Sequence, residues 1–392
     1  MPAADEVPLT AVLLPRSGAA AAVTAAWDAG EAVTVLDPAG PTAALAATLD
    51  RLRPTHLLDG DGRRPLGGGV PVAAGVCAVV VTSGTTAAPK GVELTTAGLE
   101  TIGRGCNAAI GAGASDRWLL CLPLHHVAGL AILARARASG AAVTVDAGFE
   151  PDAVACAPRE RGATLVSLVP TMLKRLLDAG APLADYRALV VGGAPMPPAV
   201  RARAREVGAP VVDAYGMSES WGGVVLDGVP IAGMEATLDD GDDILLRGPA
   251  VMRGYRLAPR ETREAFTPDG WLRTGDVGTF DDGGRLRVVD RRRDIIITGG
   301  VNVSPTEVEV VLAQHPAIAD VGVAGVPDDE WGERVVAFVV TRDGDPTPSL
   351  GDVRAFASER LSAPKVPRQV VGVAEIPRSP GGKVLRRLLP AP

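Results

Sequence analysis

The fold is decided by the stretch Val76-Cys-Ala-Val-Val-Val-Thr-Ser-Gly-Thr-Thr-Ala-Ala-Pro-Lys-Gly91. Its first half is a continuous apolar run, which is typical of a buried strand in a parallel sheet. Its second half is a short polar loop that contains Thr82, Ser83, Gly84, Thr85, Thr86 and Lys90. Backbone N–H groups, hydroxyls and one ammonium in such a loop can bind a polyphosphate. It is not a Walker loop, because Gly91 rather than Ser or Thr follows the lysine.

The composition bounds the class of protein. The chain has 392 residues, 47% of them hydrophobic and 22% charged, and a formal net charge of −7. This length predicts two domains, and the negative charge argues against a nucleic-acid-binding surface. The four cysteines show no CxxC spacing, which argues against a zinc site or a disulfide framework. Asp5 and Glu6 do not fit a signal peptide, and the apolar runs are shorter than a membrane span, so we expect a cytoplasmic protein without membrane insertion.

Lysine is scarce in this sequence. Of the 39 basic residues, four are lysines: Lys90, Lys174, Lys365 and Lys383. A lysine kept in an arginine-rich background indicates a need for a compact, flexible ammonium. Because Lys90 and Lys383 lie in Gly/Pro-rich segments, we expect them to be functional, and we expect the other two to be ordinary surface residues.

The secondary-structure pattern changes twice along the chain. Residues 1–230 alternate short apolar runs with helical segments, which predicts βα units and a mostly parallel sheet. From about Ile231, short strands separated by Asp/Gly turns indicate a β-rich subdomain. After the charged stretch Asp290–Asp294, a compact α+β unit begins with a helix over residues 305–314. The predicted domains are therefore residues 1–291 and 292–392.

Six further polar segments follow the phosphate-type loop in a fixed order. They are Cys121-Leu-Pro-Leu-His-His-Val-Ala-Gly129, Val191-Gly-Gly-Ala-Pro195, Asp213-Ala-Tyr-Gly-Met-Ser-Glu219, Trp271-Leu-Arg-Thr-Gly-Asp276, Asp290-Arg-Arg-Arg-Asp294 and Pro377-Arg-Ser-Pro-Gly-Gly-Lys-Val-Leu-Arg-Arg387. Together with the loop they resemble the motifs of the adenylate-forming superfamily, which includes acyl-CoA synthetases, luciferases and adenylation domains. The resemblance runs from about residue 76 to residue 388. It implies an α/β fold, with a large N-terminal domain of mostly parallel sheets plus a β-rich subdomain, and a small mobile α+β C-terminal domain.

The resemblance assigns the ATP-binding residues of the N-terminal part. The loop from Thr82 to Lys90 would hold the β- and γ-phosphates, although Ala87 stands where the family usually has glycine. The adenine would lie against a set of residues on two loops: Gly192, Gly193, Ala194, Tyr215 and Gly216. Ser218, which is threonine in most relatives, would contact the α-phosphate. Glu219 would hold Mg²⁺, which prefers carboxylate and phosphate oxygens.

The resemblance also assigns an acid pocket and residues near the C-terminus. The pocket would be lined by His125, His126, Gly193 and Gly222, with His126 as the match to the family's histidine and not a metal ligand. Asp276 would accept hydrogen bonds from the ribose hydroxyls, and Arg291 would contact the nucleotide. Arg293 would be the hinge about which the C-terminal domain turns. Lys383 would be the catalytic lysine that neutralises charge at the α-phosphate, and His126 and Lys90 would be catalytic residues with it. The loop Gly299–Ser304 would move in for the second step.

The implied activity is that of an acid–CoA ligase. In the family, an acid attacks the α-phosphate of ATP to give an acyl-adenylate, and a thiol then takes the acyl group. No carrier module follows Lys383, so we expect a free-standing ligase that uses ATP, Mg²⁺ and coenzyme A. The segments around His126 and Tyr215 are similar to those of short ligases that act on o-succinylbenzoate in menaquinone biosynthesis. The sequence leaves a homodimer open.

Three alternatives remain at this point. The acid is another aromatic or short acyl acid; or the chain is a non-catalytic nucleotide-binding member of the family; or Arg291–Arg293 bind nucleic acid. The second predicts the loss of Lys90, Glu219, Asp276 or Lys383, all of which are present. The third predicts a basic domain and aromatic platforms, whereas the chain is acidic and 3% aromatic.

Overall fold

The computed structural model describes residues 6–82, 90–342, 346–378 and 384–392. Within these residues the chain forms ten α-helices: α1 (Arg16–Asp28), α2 (Thr42–Leu52), α3 (Thr96–Ile110), α4 (Val127–Ser139), α5 (Pro151–Arg161), α6 (Pro170–Asp178), α7 (Pro198–Glu206), α8 (Pro259–Ala265), α9 (Pro305–Leu312) and α10 (Leu350–Ser358).

The strands of the first half are β1 (Glu6–Val7), β2 (Leu9–Val12), β3 (Ala32–Val35), β4 (His56–Asp59), β5 (Gly62–Pro65), β6 (Val72–Ala73), β7 (Val76–Thr82), β8 (Lys90–Thr95), β9 (Arg117–Leu120), β10 (Ala142–Val145), β11 (Leu165–Leu168) and β12 (Ala188–Gly192). Those of the second half are β13 (Val211–Met217), β14 (Gly222–Leu226), β15 (Val229–Pro230), β16 (Glu235–Leu238), β17 (Asp243–Arg247), β18 (Gly254–Tyr255), β19 (Leu272–Phe280), β20 (Leu286–Arg291), β21 (Ile296–Thr298), β22 (Val301–Val303), β23 (Ile318–Asp328), β24 (Gly332–Thr341) and β25 (Gln369–Gly372).

The chain divides into two compact units. The first comprises Met1–Gly193, Val200–Thr237 and Leu245–Thr274, and the second comprises Ala194–Ala199, Leu238–Ile244 and Gly275–Pro392. The predicted domain boundary near residue 292 falls inside the second unit and stays a prediction.

The first unit contains two seven-stranded sheets and a two-stranded antiparallel sheet of β1 and β6. One has the order β10-β9-β11-β12-β13-β14-β15, in which the strands from β10 to β13 are parallel. The other has the order β18-β8-β7-β3-β2-β4-β5, with a parallel centre and antiparallel edges. Short apolar strands such as β9 and β11 are buried because helices cover parallel sheets on both faces. The prediction of mostly parallel, helix-flanked sheets agrees with this topology.

The second unit contains an antiparallel sheet with one parallel edge. Strands β22, β21, β24 and β23 follow in that order, and β25 pairs with β24 in parallel. Helices α9 and α10 contribute Val308, Leu312 and Val353 to its apolar core.

A separate four-stranded sheet has the order β16-β17-β19-β20, where the sequence predicts a β-rich subdomain. In the part of the chain that the structure describes, no helix is long and apolar enough to span a bilayer.

A buried arginine holds the edge strand β18 in place. The Arg256 side chain is 1% exposed and donates from Nη1 to Glu93 Oε1 at 3.2 Å. Its other guanidinium nitrogens donate to the backbone carbonyls of Leu52 and Val70. The guanidinium therefore ties β18 to β8, to the end of α2 and to the loop between β5 and β6. Because the pair is buried, loss of one partner leaves a charge without compensation.

We expect Arg256→Met to lower the free energy of unfolding of the first unit by about 3–5 kcal/mol. The measurement is denaturant unfolding followed by tryptophan fluorescence, because Trp27, Trp118, Trp221 and Trp271 lie in this unit.

Arg253 provides the matched control. It pairs with the other oxygen of the same carboxylate, Glu93 Oε2, at 3.4 Å, but its side chain is 55% exposed. Arg253→Met should therefore cost at most about 1 kcal/mol. Equal losses in the two variants would contradict the role given to burial.

Candidate active site

The phosphate-type loop is closed by two antiparallel strands. Thr82 ends β7 and Lys90 begins β8, and the two residues are paired in register. The Thr82 hydroxyl donates to the Lys90 carbonyl at 3.4 Å. The other predicted loop residues, Ser83, Gly84, Thr85 and Thr86, lie outside the described residues, as does Ala87. What the structure fixes is the strand pair that presents both ends of the loop.

A tight turn after β13 positions Glu219. Ser218–Ser220 form one turn of 3₁₀ helix, and Trp221 then adopts a left-handed conformation with φ 57°. The Trp221 ring is fully buried and its indole N–H donates to the Thr95 carbonyl at 3.0 Å. The Glu219 carbonyl accepts from the Met252 N–H at 2.7 Å. These contacts fix the backbone of a buried acid, which is 7% exposed.

Tyr255 joins the two predicted phosphate- and metal-binding residues. Its hydroxyl donates to Glu219 Oε1 at 2.9 Å, and Lys90 Nζ lies 4.6 Å from the centroid of its ring. Burial and the negative charge of Glu219 raise the pKa of Tyr255 above its usual value, so its hydroxyl remains a donor. Sequence reasoning missed this residue, because its two-residue strand has no periodicity. The available signal was scarcity, since the chain has only three tyrosines.

The environment of Glu219 fits Mg²⁺ better than a metal held by protein ligands alone. Among the described residues, no group of three or more His, Cys, Asp or Glu side chains is arranged to hold a metal ion. A single buried carboxylate matches Mg²⁺, which keeps several waters and binds through one or two carboxylates plus substrate phosphates. Glu219 is therefore the residue that would hold the ion.

The two predicted base-binding loops are neighbours in one sheet. Gly192 ends β12 and pairs in parallel with Ala214 of β13, next to Tyr215. A side chain at Gly192 would place Cβ 2.4 Å from the Ala214 carbonyl oxygen, which explains the glycine. Gly193 follows in a left-handed conformation with φ +83°. Ala194, the next residue, belongs to the second unit.

Gly216 is required by a close crossing of two strands. It sits at a bulge between β13 and β14, and a Cβ there would lie 1.7 Å from the Gly222 carbonyl oxygen. Gly222 has φ +88°, and a side chain on it would contact Val127 at the start of α4. The backbone crossing therefore brings the loop that contains Ser218 next to the segment that contains His126.

The two histidines lie between β9 and α4, with their ring centroids 4.6 Å apart. Burial lowers the pKa of His125, with a smaller opposing effect from Asp37. Partial desolvation by the surrounding protein, and then the neighbouring His125, lower the pKa of His126. Because the residue is also exposed, solvent screens both effects. The lowered pKa values favour the neutral form of both rings.

The second unit pairs the two residues predicted to bind the ribose side of a nucleotide. Asp276 and Arg291 face each other on β19 and β20, with Arg291 Nε 2.8 Å from Asp276 Oδ1. Asp276 is 5% exposed, whereas the Arg291 side chain is 30% exposed, so the carboxylate is shielded from water but the guanidinium is only partly so. Arg293 is exposed and lies 3.5 Å from Asp294.

Lys383 lies outside the described residues, but the chain on both sides of it is anchored. Arg378 and Val384 form an antiparallel bridge, and Arg378 pairs with Asp320 at 2.7 Å. Arg386 donates to Glu309 Oε1 at 2.8 Å and to the Val323 carbonyl. Burial raises the pKa of Glu309 to about 7 in spite of this arginine.

The fold and these residues define an AMP-binding enzyme. The family of AMP-binding enzymes matches residues 69–256, and the C-terminal domain of that family matches residues 307–383. The chain belongs to this family, and the predicted family and α/β fold class are confirmed.

The similar named proteins are acid–CoA ligases. A 2-succinylbenzoate–CoA ligase of Bacillus pumilus is 35% identical over 339 residues, which are 79% of this chain and 68% of that protein. A probable 2-succinylbenzoate–CoA ligase of Mycobacterium tuberculosis is 38% identical over 326 residues, which are 80% of this chain and 84% of that protein. The predicted class, an ATP-dependent acid–CoA ligase, is confirmed by these relatives.

Solved structures give the same result. The o-succinylbenzoate CoA synthetase of Bacillus subtilis, in complex with its acyl-adenylate intermediate, matches with a TM-score of 0.85 and 29% identity, over 98% of this chain and 88% of that chain. Its complex with ATP and magnesium ion matches with a TM-score of 0.85 and 28% identity, over 98% and 90%. These complexes agree with the prediction of ATP and Mg²⁺ as ligands.

The lowered pKa values of His125 and His126 predict a pH dependence of stability. Their usual pKa is 6.5, so below about pH 6.5 the unfolded chain binds more protons than the folded one. The contribution of the two rings to the free energy of unfolding of the first unit should be fully present above pH 6.5. It should be lost as the pH falls through the lowered pKa values. The double variant His125→Gln/His126→Gln should show a smaller decrease between pH 7.5 and pH 5, measured by denaturant unfolding.

His56→Gln is the control for this measurement. His56 lies on β4 of the same unit, away from the pair in sequence. In this variant the decrease in the free energy of unfolding between pH 7.5 and pH 5 should stay closer to that of the wild type than in the double variant. A double variant with the unaltered wild-type slope would refute the contribution of the two rings.

Proposed function

We propose that the chain is an ATP-dependent 2-succinylbenzoate–CoA ligase that forms an acyl-adenylate intermediate, as the resemblance of its motifs implies. The observation that carries the choice of acid is the similarity to ligases of that name, at 35–38% identity over about four fifths of the chain. The neutral histidine pair supports an uncharged lining for the aromatic part of the acid.

The proposed first step forms the acyl-adenylate. A carboxylate oxygen of the acid attacks the α-phosphorus of ATP, and the bond from that phosphorus to the bridging oxygen breaks to release pyrophosphate. Lys90, with Thr82 and the loop residues Ser83, Gly84, Thr85 and Thr86, holds the β- and γ-phosphates. Glu219 would hold Mg²⁺, which would neutralise phosphate charge, and Lys383 stabilises the charge that develops at the α-phosphate.

The remaining residues position the substrates. Gly192, Gly193, Ala194, Tyr215 and Gly216 enclose the adenine, and Ser218 donates to the α-phosphate. Asp276 and Arg291 bind the ribose side of the nucleotide. His125, His126, Gly193 and Gly222 line the acid pocket. In the second step the CoA thiol attacks the acyl carbonyl and AMP leaves.

Two further predictions rest on the sequence alone: the division into residues 1–291 and a mobile 292–392 with Arg293 as its hinge, and a cytoplasmic location. The sequence leaves open whether the chain forms a homodimer. Light scattering on the purified chain tests this point.

The substrate is tested with a panel of acids. Purified protein with ATP, Mg²⁺ and CoA should release pyrophosphate and form a thioester with 2-succinylbenzoate. Benzoate and a medium-chain fatty acid should give kcat/KM values lower by about 100-fold or more, because a polar group built to bind the second carboxylate would be left unpaired. Strong activity with benzoate or the fatty acid, and none with 2-succinylbenzoate, would exclude this acid.

The role of Lys383 is tested on the two half-reactions. Lys383→Ala should slow acyl-adenylate formation by about 10²–10³-fold, because it removes a charge that acts in the transition state. Transfer of the acyl group from preformed adenylate to CoA should be largely intact.

Lys365→Ala is the matched control for this variant. Lys365 lies in the same unit and pairs with Glu307 at 2.7 Å. The control should leave both half-reactions unchanged. Equal loss of both half-reactions in Lys383→Ala would refute the assigned role.

A further inference from the structure

Tyr255 contacts two groups of opposite charge that the proposed function requires. Gly254 and Tyr255 form β18, which pairs antiparallel with β8, so that Tyr255 lies opposite Val92. Lys90, the first residue of β8, comes two residues before Val92. The ring therefore faces the end of β8, while its hydroxyl reaches Glu219 at 2.9 Å.

The hydroxyl uses one oxygen of the carboxylate. Tyr255 donates to Glu219 Oε1, and this bond fixes the plane and direction of the carboxylate. A carboxylate has about four lone-pair positions, so Oε2 retains its acceptor capacity for a cation. Because the phenol carries no charge, this hydrogen bond places no positive charge beside the carboxylate. Outer partners of this kind orient metal ligands and typically change metal affinity by about 10–100-fold.

The ring restrains the cation. Lys90 Nζ lies 4.6 Å from the ring centroid, within the range of a cation–π contact. In the described part of the chain, no ion pair joins Lys90 to Glu219, and Tyr255 touches both. A direct pair between them would neutralise the two groups that must act on phosphate and metal.

We propose that Tyr255 is a positioning residue that orients Glu219 for Mg²⁺ and holds the Lys90 ammonium apart from it for the phosphates. This inference rests on the proposed function, in which Glu219 holds the ion and Lys90 binds the β- and γ-phosphates. The role concerns the metal ion and the phosphates, so its test needs no acid and does not depend on the identity of the acid.

The test measures ATP binding by calorimetry as a function of Mg²⁺, without acid or CoA. Tyr255→Phe keeps the ring and removes the hydroxyl. It should raise the Mg²⁺ concentration at half-saturation about 10-fold, and leave metal-free ATP binding unchanged. Tyr255→Leu removes the ring as well, and should additionally weaken metal-free ATP binding about two- to fivefold.

Tyr186→Phe is the matched control. The Tyr186 hydroxyl is also buried in the first unit, where it donates to the Val154 carbonyl at 2.7 Å. This variant should leave both binding measurements unchanged. A purely structural role for Tyr255 predicts a lower thermal midpoint with an unaltered Mg²⁺ dependence, and that result would overturn the inference.

Glu219→Gln separates the inference from the function on which it rests. Glu219→Gln should raise the Mg²⁺ requirement, and adding Tyr255→Phe to it should change the requirement little further, because the two residues act as one. A raised Mg²⁺ requirement in Glu219→Gln together with an unchanged one in Tyr255→Phe would overturn the inference alone. An unchanged Mg²⁺ requirement in Glu219→Gln would overturn the metal assignment and the inference together. The acid panel would still decide the ligase activity.

Discussion

The arrangement of the first unit depends on one buried guanidinium. Strand β18 has two residues, and so short a strand gains little from its own backbone pairing with β8. Arg256 supplies the missing attachment through Glu93 and the carbonyls of Leu52 and Val70. Since Tyr255 is its immediate neighbour, the same ion pair that stabilises the sheet edge also decides where the Tyr255 ring lies. The stability of the sheet edge and the geometry around Tyr255 are thus linked, because Tyr255 and Arg256 are adjacent in the sequence.

Backbone crossings impose a second constraint on the same region. Gly216 lets β13 approach Gly222 closely, and Trp221 anchors the turn between them with a buried ring. The loop that contains Ser218 and Glu219 is therefore held from both sides before any ligand binds. A site formed in this way is preorganised, so the free energy of nucleotide binding need not be used to order the loop.

The sequence predicted those parts of the fold that have a clear pattern. Apolar runs predicted strands that the structure has as β7, β23 and β24. The helix predicted over residues 305–314 is α9, which ends at Leu312. The ordered motifs predicted the family, which is confirmed, and they single out Lys90 and Glu219 as ligand-binding residues, which stays a prediction. Tyr255 was not predicted, because its partners are 36 residues away at Glu219 and across a strand pair at Lys90, and only the folded sheet brings them together. Side-chain contacts between distant strands leave no local periodicity to detect.

Two buried acids, Glu219 in the first unit and Asp276 in the second, have partners of different charge. Glu219 accepts from an uncharged phenol, which places no positive charge beside the site proposed for a divalent cation. Asp276 instead pairs with the guanidinium of Arg291, which largely neutralises it. A neutralised carboxylate is a poor metal ligand but a good acceptor for the neutral hydroxyls of a ribose, because no unpaired charge is buried when they bind. The choice of Tyr beside one acid and Arg beside the other therefore matches the different ligands proposed for them. Exchanging the two kinds of partner would place an uncompensated charge beside a sugar and a compensated one beside a metal ion.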